Sequence, residues 1–212
     1  MSNADARIFI VDDDAKFCRS LARLVKSIGY DVELFSSAKD FLEREPFEGP
    51  GCLLLDVRMP ELTGPDLQAE LNQRDMFIPI IFLTAHADTP TGVKAMKDGA
   101  VDFLLKPVEE QALFEAIDNA LDKGAQLRKQ HKETEEAKRL IATLTAREHE
   151  TFRWLITGML NKQIAIPLGI TVRTVKAHRS QIMHKLDVVS VAELVRLAQK
   201  AEVSPARESP RS

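Results

Sequence analysis

Short apolar runs alternate with amphipathic segments along the first half of this 212-residue chain. Between the runs, apolar residues recur every three or four positions, as at Phe17, Leu21 and Leu24, which is the spacing of one helix face. The runs that predict strands are IFIV (8–11), VELF (32–35), CLLLDV (52–57), PIIFLTA (79–85) and DFLLK (102–106). This alternation predicts an α/β fold: a doubly wound, five-stranded parallel sheet of flavodoxin-like order 2-1-3-4-5, with helices on both faces.

The last third of the chain has helical signals and no strand signal. Thr145 and Glu148 have the spacing of a capping box at the start of the first helix. Further helices are predicted from about Asn161, from Thr171 to about Leu186, and from Ser190. Three segments follow from this pattern: a first domain over 7–122, a charged, partly helical linker over 123–143, and an all-α domain over 144–202. The small, polar residues 204–212 are expected to be disordered.

Charge divides the chain more sharply than its formal net charge of -3 shows. Residues 1–140 hold 18 Lys and Arg against 26 Asp and Glu, whereas 141–212 hold 11 against 6. A basic second half favours an anionic partner such as nucleic acid, although a basic face without a partner has the same composition. Two cysteines are too few for a disulfide framework or a zinc site, and no apolar run could span a membrane. A cytoplasmic protein with no membrane partner is therefore expected.

Acidic residues stand directly after the first strand, where like charges repel one another. Asp12 and Asp13 follow the first run, and Asp56 lies in the third, so neighbouring strands would bring them together at the carboxyl edge of the sheet. A hard cation with oxygen ligands, for which Mg²⁺ is the best fit, would remove the repulsion. The alternative is that the acids cap the next helix and face solvent.

Thr84 and Lys106 lie at the ends of the fourth and fifth runs. A hydroxyl and an ammonium do not help to bind a metal, but together they suit a group with several negative oxygens, such as a phosphoryl group. Asp56 would then be a nucleophile that forms an acyl phosphate. The competing interpretation of Lys106 is an ion pair with one of the acids, and both interpretations could hold at different times.

A basic helical segment follows a glycine-containing turn in the last third of the chain. A short helix, a turn and a second, basic helix form the arrangement that lays the second helix into a DNA major groove. Val175, Ile182 and Leu186 share one face of that helix and are expected to pack inward. The alternative is a surface helix of a small bundle.

Four stretches resemble the receiver domain of two-component response regulators in order and spacing: FIVDDDAKF, LLLDVRMPELTGPDL, IPIIFLTAHAD and GAVDFLLKPV. The resemblance implies that Asp56 accepts a phosphoryl group from a sensor histidine kinase, and that Thr84 and Lys106 hold the phosphoryl oxygens. It places Asp14 outside the metal site, at the start of a helix. The implied ligands of Mg²⁺ are Asp12, Asp13, Asp56 and the main-chain carbonyl of Arg58.

The same resemblance implies a conformational switch. The hydroxyl of Thr84 would move toward the phosphoryl group while the ring of Phe103 turns inward, reshaping the surface of the fourth helix, fifth strand and fifth helix. The alternative is that Phe103 belongs to the core. The bond between Lys106 and Pro107 resembles the family's cis peptide. His86 would lie at the rim of the site.

The segment 144–200 resembles the LuxR-type helix-turn-helix of the FixJ/NarL group, through LTAREHE, NKQIA, LGI, RTVKAHRSQIMHKL and AELVRLA. The resemblance implies that Lys176, Ala177 and Ser180 contact base edges. The implied phosphate contacts are Asn161, Lys162, Thr171, Arg173, Thr174 and Arg179. Two departures from the family pattern are Pro167, expected to shorten the first of the two helices, and Leu160, which leaves that helix without a good cap.

The leading hypothesis is a transcription regulator that binds promoter DNA and is controlled by phosphorylation at Asp56, which would promote a homodimer. Such a protein catalyses only its own phosphotransfer and dephosphorylation. One alternative is a metal-dependent aspartyl phosphatase, but Arg58 stands where those enzymes need a second acid. A flavodoxin-like cofactor binder is a further alternative, disfavoured because no glycine-rich phosphate loop follows the first strand.

Overall fold

A computed structural model describes residues 6–47, 49–74, 76–85 and 89–207, with only the backbone for 89–91. The chain divides into two compact units, Met1–Arg128 and Lys129–Ser212. Each unit has its own hydrophobic core. Within the described ranges, no helix is long and apolar enough to cross a membrane.

The first unit is built on a five-stranded sheet in which every neighbouring pair is parallel. The strand order is β2-β1-β3-β4-β5, which confirms the predicted fold class. Each strand lies within two residues of its predicted run. The strands are β1 (Arg7–Val11), β2 (Asp31–Phe35), β3 (Gly51–Asp56), β4 (Ile80–Thr84) and β5 (Asp102–Leu105).

Alternating side chains of the strands form two cores, one on each face of the sheet. In β1, Ile8 and Ile10 pack with helices α1 (Ala15–Ser27) and α5 (Glu110–Ala142). Phe9 and Val11 point to the opposite face, where they pack with the remaining helices of the unit. Those helices are α2 (Ala38–Glu43), α3 (Gly64–Gln73) and α4 (Thr89–Lys97). Burial on both faces explains why the central strands β1, β3 and β4 are apolar almost throughout.

Short polar side chains start the helices next to the sheet's carboxyl edge. The side chain of Asp14 accepts hydrogen bonds from the backbone N–H groups of Lys16 and Phe17, which confirms its predicted role at the start of α1. Thr63 and Asp66 form a reciprocal capping box at the start of α3. These caps satisfy backbone donors that a helix leaves unpaired at its first turn, and they fix where each strand-to-helix turn ends.

Helix α5 continues through nearly all of the segment predicted as a partly helical linker, 123–143. Its last turns carry Ala137 and Ile141, which are buried in the core of the second unit. Glu133, on the same part of the helix, pairs with Lys200 at 2.7 Å. The sequence did not predict this packing, because only two apolar residues, one turn apart in a highly charged segment, make the contact.

The described part of the second unit contains helices and no strand, as predicted. Its remaining helices are α6 (Ala146–Leu155), α7 (Asn161–Leu168), α8 (Val172–Lys185) and α9 (Val191–Lys200). Thr145 and Glu148 form the predicted capping box at α6. Thr171 and Ser190 cap α8 and α9 by accepting from the backbone N–H of the third helical residue. Ser and Thr are favoured at this position because their hydroxyl oxygen reaches that donor.

Pro167 does not shorten α7, contrary to the prediction, since the helix runs to Leu168. A proline at this position removes only the hydrogen bond to the carbonyl of Gln163, and both residues are exposed, so water can satisfy that carbonyl. Gly169 then ends the helix with φ of 63°, and the guanidinium of Arg147 donates to the Leu168 carbonyl at 2.6 Å. The first turn lacks a side-chain cap, as predicted for Leu160.

The segment after α9 is partly ordered, so the predicted disorder is wrong for residues 204–207. The backbone N–H of Ala206 donates to the carbonyl of Arg153 at 2.9 Å, and the guanidinium of Arg153 donates to the carbonyl of Ser204 at 3.1 Å. Val203 and Ala206 pack against the core of the second unit. Residues 208–212 lie outside the described part of the chain.

Candidate functional site

Two acids, a threonine and a lysine lie at the carboxyl ends of the strands. Asp12 follows β1, Asp56 ends β3, Thr84 ends β4 and Lys106 follows β5. The backbone N–H of Lys106 donates to the carbonyl of Thr84 at 2.7 Å, which holds these two strand ends in register. The parallel sheet therefore brings residues from four separate strands to one edge, as the sequence predicted.

The ammonium of Lys106 lies between the carboxylates of Asp12 and Asp56. Its Nζ atom is 2.5 Å from Oδ2 of Asp12 and 2.6 Å from Oδ1 of Asp56. Asp12 is only 1% exposed and Asp56 6%. The predicted ion pair of Lys106 with one acid is thus an interaction with both, since one cation compensates two carboxylates that the fold removes from water.

The other carboxylate oxygens accept backbone hydrogen bonds from the loops that follow the strands. Oδ1 of Asp12 accepts from the N–H of Asp14 at 2.9 Å, and Oδ2 of Asp56 accepts from the N–H of Arg58 at 2.7 Å. Burial raises the pKa of Asp12, although its hydrogen bond with Lys106 acts in the opposite direction. Burial would lower the pKa of Lys106, but hydrogen bonds to both carboxylates outweigh it and leave that pKa raised.

Asp13 does not join these acids, because its side chain is exposed to solvent. Within the described ranges, no three His, Cys, Asp or Glu side chains are grouped closely enough to hold a metal ion. The donor chemistry at the strand ends nevertheless fits a hard cation, because the two buried carboxylates carry more negative charge than the single ammonium offsets. The predicted carbonyl ligand, that of Arg58, lies two residues after Asp56 in the loop that follows β3.

The predicted switch residues lie on neighbouring strands, Thr84 at the end of β4 and Phe103 within β5. Thr84 is 4% exposed. Phe103 is half-buried and packs against the core, with its ring 6.2 Å from that of Phe82. A Cβ at Gly92 of α4 would contact the Phe103 ring at 3.6 Å, so this ring lies directly beneath α4. The peptide bond from Lys106 to Pro107 is cis, as predicted. His86 lies outside the described residues.

The far end of α4 is held by two side-chain amides of α3. The Nε2 atom of the buried Gln68 donates to the carbonyl of Ala95 at 3.2 Å, and Nδ2 of Asn72 donates to the carbonyl of Asp98 at 3.3 Å. These bonds satisfy carbonyls that a helix leaves unpaired at its C-terminus. The C-terminal end of α4 is therefore fixed to α3, while Phe103 lies beneath its earlier part.

All nine predicted DNA-contact residues have solvent-accessible positions on α7, α8 and the turn between them. Some also have a structural role: the hydroxyls of Thr171 and Thr174 are 2.9 Å apart at the start of α8, and the guanidinium of Arg179 is 3.5 Å from Oδ1 of Asn161. The exposed residues are Lys162, Thr171, Arg173, Lys176, Ala177 and Ser180, and the half-buried ones are Asn161, Thr174 and Arg179.

The inner face of α8 packs into the second unit's core as predicted, because Val175, Ile182 and Leu186 are at most 2% exposed. An ion pair fixes the C-terminal end of α8 to the start of α6. Nζ of Lys185 lies 2.7 Å from Oε2 of Glu148, and this oxygen also accepts a hydrogen bond from the N–H of Thr145. The hydrogen bonds with Lys185 and Thr145 lower the pKa of Glu148 to about 2.

Sequence reasoning missed two contacts of these sites. It identified Glu148 as a capping residue but not as the partner of Lys185 on the helix predicted to enter the major groove. It also identified Phe17 only as one of the apolar residues on a face of α1. In the structure, Nζ of Lys106 lies 4.3 Å from the centroid of the Phe17 ring. Neither pair is local in sequence, so no periodicity or spacing could indicate it.

Two family models match the chain. Residues 8–118 match the family model of the response regulator receiver domain, which is more than half of the chain. The chain is a response regulator. Residues 142–198 of this response regulator match the model of bacterial regulatory proteins of the luxR family. A receiver domain implies a histidine kinase as partner and generally binds Mg²⁺ at its phosphorylation site, and a LuxR-type domain implies DNA binding.

Relatives match this response regulator along nearly its whole length. The response regulator protein TodT of Pseudomonas putida strain F1 is 44% identical over 204 residues, which are 96% of this chain and 90% of TodT. The transcriptional regulatory protein FixJ of Azorhizobium caulinodans is 39% identical over 202 residues, covering 95% of this chain and 96% of FixJ. The family is therefore one of transcription regulators, and the alternative of an aspartyl phosphatase is not favoured.

Solved structures of relatives share the fold. The response regulator StyR is 46% identical, with a TM-score of 0.73 over 93% of this chain and 100% of StyR. Full-length FixJ from B. japonicum is 38% identical, with a TM-score of 0.56 over 92% of this chain and 97% of FixJ. The predicted identification as a two-domain response regulator is thus confirmed.

Proposed function

We propose that Asp56 is the phosphoacceptor of this response regulator, and that its phosphorylation by a sensor histidine kinase controls dimerisation and promoter binding. The observation that carries the proposal is the position of one ammonium, that of Lys106, within hydrogen-bonding distance of Asp12 and Asp56. A buried carboxylate beside a fixed cation is suited to attack a phosphorus atom, because the cation stabilises negative charge on the transferred oxygens.

In the transfer, an oxygen of Asp56 forms a bond with phosphorus as the bond from phosphorus to the kinase's histidine nitrogen breaks. Lys106, already 2.6 Å from the acceptor, stays beside it and pairs with a phosphoryl oxygen. The hydroxyl of Thr84, at the end of the neighbouring strand, donates to another oxygen. The acyl phosphate can then be hydrolysed on the same residues, so the protein catalyses only its own phosphorylation and dephosphorylation.

Magnesium is the cofactor that this donor set would take. Asp12, Asp13, Asp56 and the main-chain carbonyl of Arg58 would hold it, and the ion would supply neutralising charge to the phosphoryl oxygens. On acting as a ligand, Asp12 would exchange its pairing with Lys106 for the cation. The carboxylate of Asp13 is exposed and is therefore free to turn toward a cation that enters from solvent.

The switch would act through Thr84 and Phe103 on the surface of α4 and β5. Movement of the Thr84 hydroxyl toward the phosphoryl group opens space beside β4, and the half-buried ring of Phe103 turns into it. Three large apolar side chains on this surface support its use as a dimer interface. Val93, Met96 and Leu105 are 49%, 44% and 51% exposed.

Dimerisation would bring two basic α8 helices onto adjacent half-sites of double-stranded promoter DNA. Lys176, Ala177 and Ser180 are proposed to contact base edges from the exposed side of α8, opposite its buried face. Phosphate contacts would set the register. They are proposed for Asn161, Lys162, Thr171, Arg173, Thr174 and Arg179.

Labelling with acetyl phosphate tests the acceptor assignment. In the presence of Mg²⁺ the full-length protein is expected to gain one phosphoryl group that is labile to alkali and hydroxylamine, detected by intact mass at near-neutral pH. Asp56→Asn should abolish the gain, whereas Asp122→Asn, an exposed aspartate of α5, should leave it unchanged. Equal labelling of Asp56→Asn and the parent protein would overturn the assignment.

A further inference from the structure

The ring of Phe17 lies against the ammonium of Lys106. Phe17 occupies the first turn of α1, and its backbone N–H is fixed by the cap at Asp14. Its half-buried side chain packs against the core beneath the strand ends, so the ring has a defined position. The distance of 4.3 Å from Nζ of Lys106 to the ring centroid is well inside the range of a cation–π contact.

The contact differs from the other two interactions of this ammonium. Asp12 and Asp56 take two of its hydrogen-bond donors through charge, and both carboxylates are expected to change their partners when Mg²⁺ and a phosphoryl group arrive. The attraction of the ring comes from its quadrupole, which neither event alters. Lys106 is 17% exposed at its side chain, so water competes only weakly for its charge.

We propose that Phe17 is a positioning residue for Lys106, which holds the ammonium beside Asp56 once Asp12 has turned away from it. The inference rests on the proposed phosphoacceptor role of Asp56. Without the aromatic face, an ammonium that has lost Asp12 is held only by Asp56 and is free to move toward solvent. Fewer molecules then present Lys106 correctly to an incoming phosphoryl group, and transfer slows.

A fluorinated series at position 17 separates the cation–π contact from simple packing. Phenylalanines with one, two or three ring fluorines, incorporated at this position, keep nearly the same shape but weaken the negative potential of the ring face stepwise. The rate of labelling by acetyl phosphate should fall with each fluorine. Phe17→Leu should slow labelling by about 5- to 30-fold, and Phe17→Tyr should retain the parent rate. Lys16→Gln, an exposed neighbour on α1, serves as the control without effect.

A second measurement reports the geometry without any phosphorylation. In NMR spectra of the unphosphorylated full-length protein, the Cε protons of Lys106 should be shifted upfield by the ring current of Phe17. Their signals are assigned by their loss in Lys106→Met. Phe17→Leu should remove the shift, while Phe17→Tyr and the fluorinated variants should keep it.

The outcomes distinguish failure of this inference from failure of the proposed function. If the parent protein is labelled at Asp56 but the fluorinated series shows a constant rate, the cation–π role is overturned, even if Phe17→Leu is slow. An absent ring-current shift overturns it as well. If Asp56→Asn is labelled like the parent protein, the phosphoacceptor assignment fails, and the NMR measurement still decides whether the ring positions the ammonium.

Discussion

Lys106 Nζ lies 2.6 Å from Oδ1 of Asp56, although the two residues are 50 positions apart in the chain. The parallel sheet makes this possible, because it ends β3 and β5 at the same edge. The same ammonium pairs with Asp12, so in the absence of a divalent cation it compensates two buried carboxylates. Lysine and magnesium should therefore compete for these acids.

Replacing the lysine should strengthen metal binding. Lys106→Met removes a positive charge a few ångströms from the proposed metal ligands, and the affinity for Mg²⁺ should rise about tenfold or more. Titration calorimetry on the unphosphorylated, full-length protein measures this directly. The exposed Lys16→Met provides the matched control and should change the affinity little. An unchanged or weaker affinity in Lys106→Met would show that the two cations do not share ligands.

Removing a base contact and removing a phosphate contact should affect DNA binding differently, because only the base contact depends on the DNA sequence. Lys176→Ala should weaken binding to a selected DNA site by about 1–3 kcal/mol while leaving binding to random DNA nearly unchanged. Lys162→Ala should weaken both equally and lower the salt slope by about one. Fluorescence anisotropy at several salt concentrations compares the two variants. Equal losses on both DNAs for Lys176→Ala would make it a phosphate contact.

The ion pair of Glu148 with Lys185 should make the stability of the second unit depend on pH. The pKa of Glu148 falls from its ordinary 4.5 to about 2 in the folded state, so its contribution is complete above pH 4.5 and is lost as the pH falls toward 2. Glu148→Gln should lower the unfolding midpoint at pH 7, and the difference from the parent protein should shrink across that window.

Glu150→Gln is the matched control, since Glu150 lies on the same helix and pairs with Arg147 in a more exposed position. Its effect on the midpoint should be small at every pH. Thermal unfolding followed by the fluorescence of Trp154, the only tryptophan, reports on the second unit. A constant difference between Glu148→Gln and the parent protein from pH 7 to pH 2 would contradict the assigned pKa.

The surface of α4 and β5 should carry phosphorylation-dependent dimerisation. Leu105→Glu places a charge in the proposed interface and should raise the dissociation constant of the phosphorylated dimer at least about tenfold. Leu34→Glu is the matched control, because Leu34 is 42% exposed on β2 at the opposite edge of the sheet. Sedimentation velocity after acetyl phosphate treatment measures both. Dimers of Leu105→Glu as stable as those of the parent protein would exclude this surface.

Features encoded by local pattern were predictable from sequence. The five apolar runs gave the strands, and Thr145 with Glu148 gave a helix start, because each depends on residues a few positions apart. The strand ends followed from the fold class, so Asp12, Asp56, Thr84 and Lys106 could be assigned to one edge.

Features that depend on distant packing or on solvent access were not predictable. The contact of Lys106 with Phe17 joins residues from opposite ends of the first unit, and no spacing encodes it. Helix α7 can continue through Pro167 because the carbonyl of Gln163, which loses its hydrogen-bond donor, is at an exposed residue. The ordering of the segment around Ala206 depends on hydrogen bonds with Arg153, in a helix more than fifty residues earlier.

The affinity of the full-length protein for its selected DNA site, measured with and without beryllofluoride in the presence of Mg²⁺, tests the central claim most directly. Beryllofluoride mimics a phosphoryl group on an aspartate, so it should tighten DNA binding by about 5- to 150-fold in the parent protein and not at all in Asp56→Asn. The same affinity in the parent protein with and without beryllofluoride would contradict control of DNA binding through Asp56.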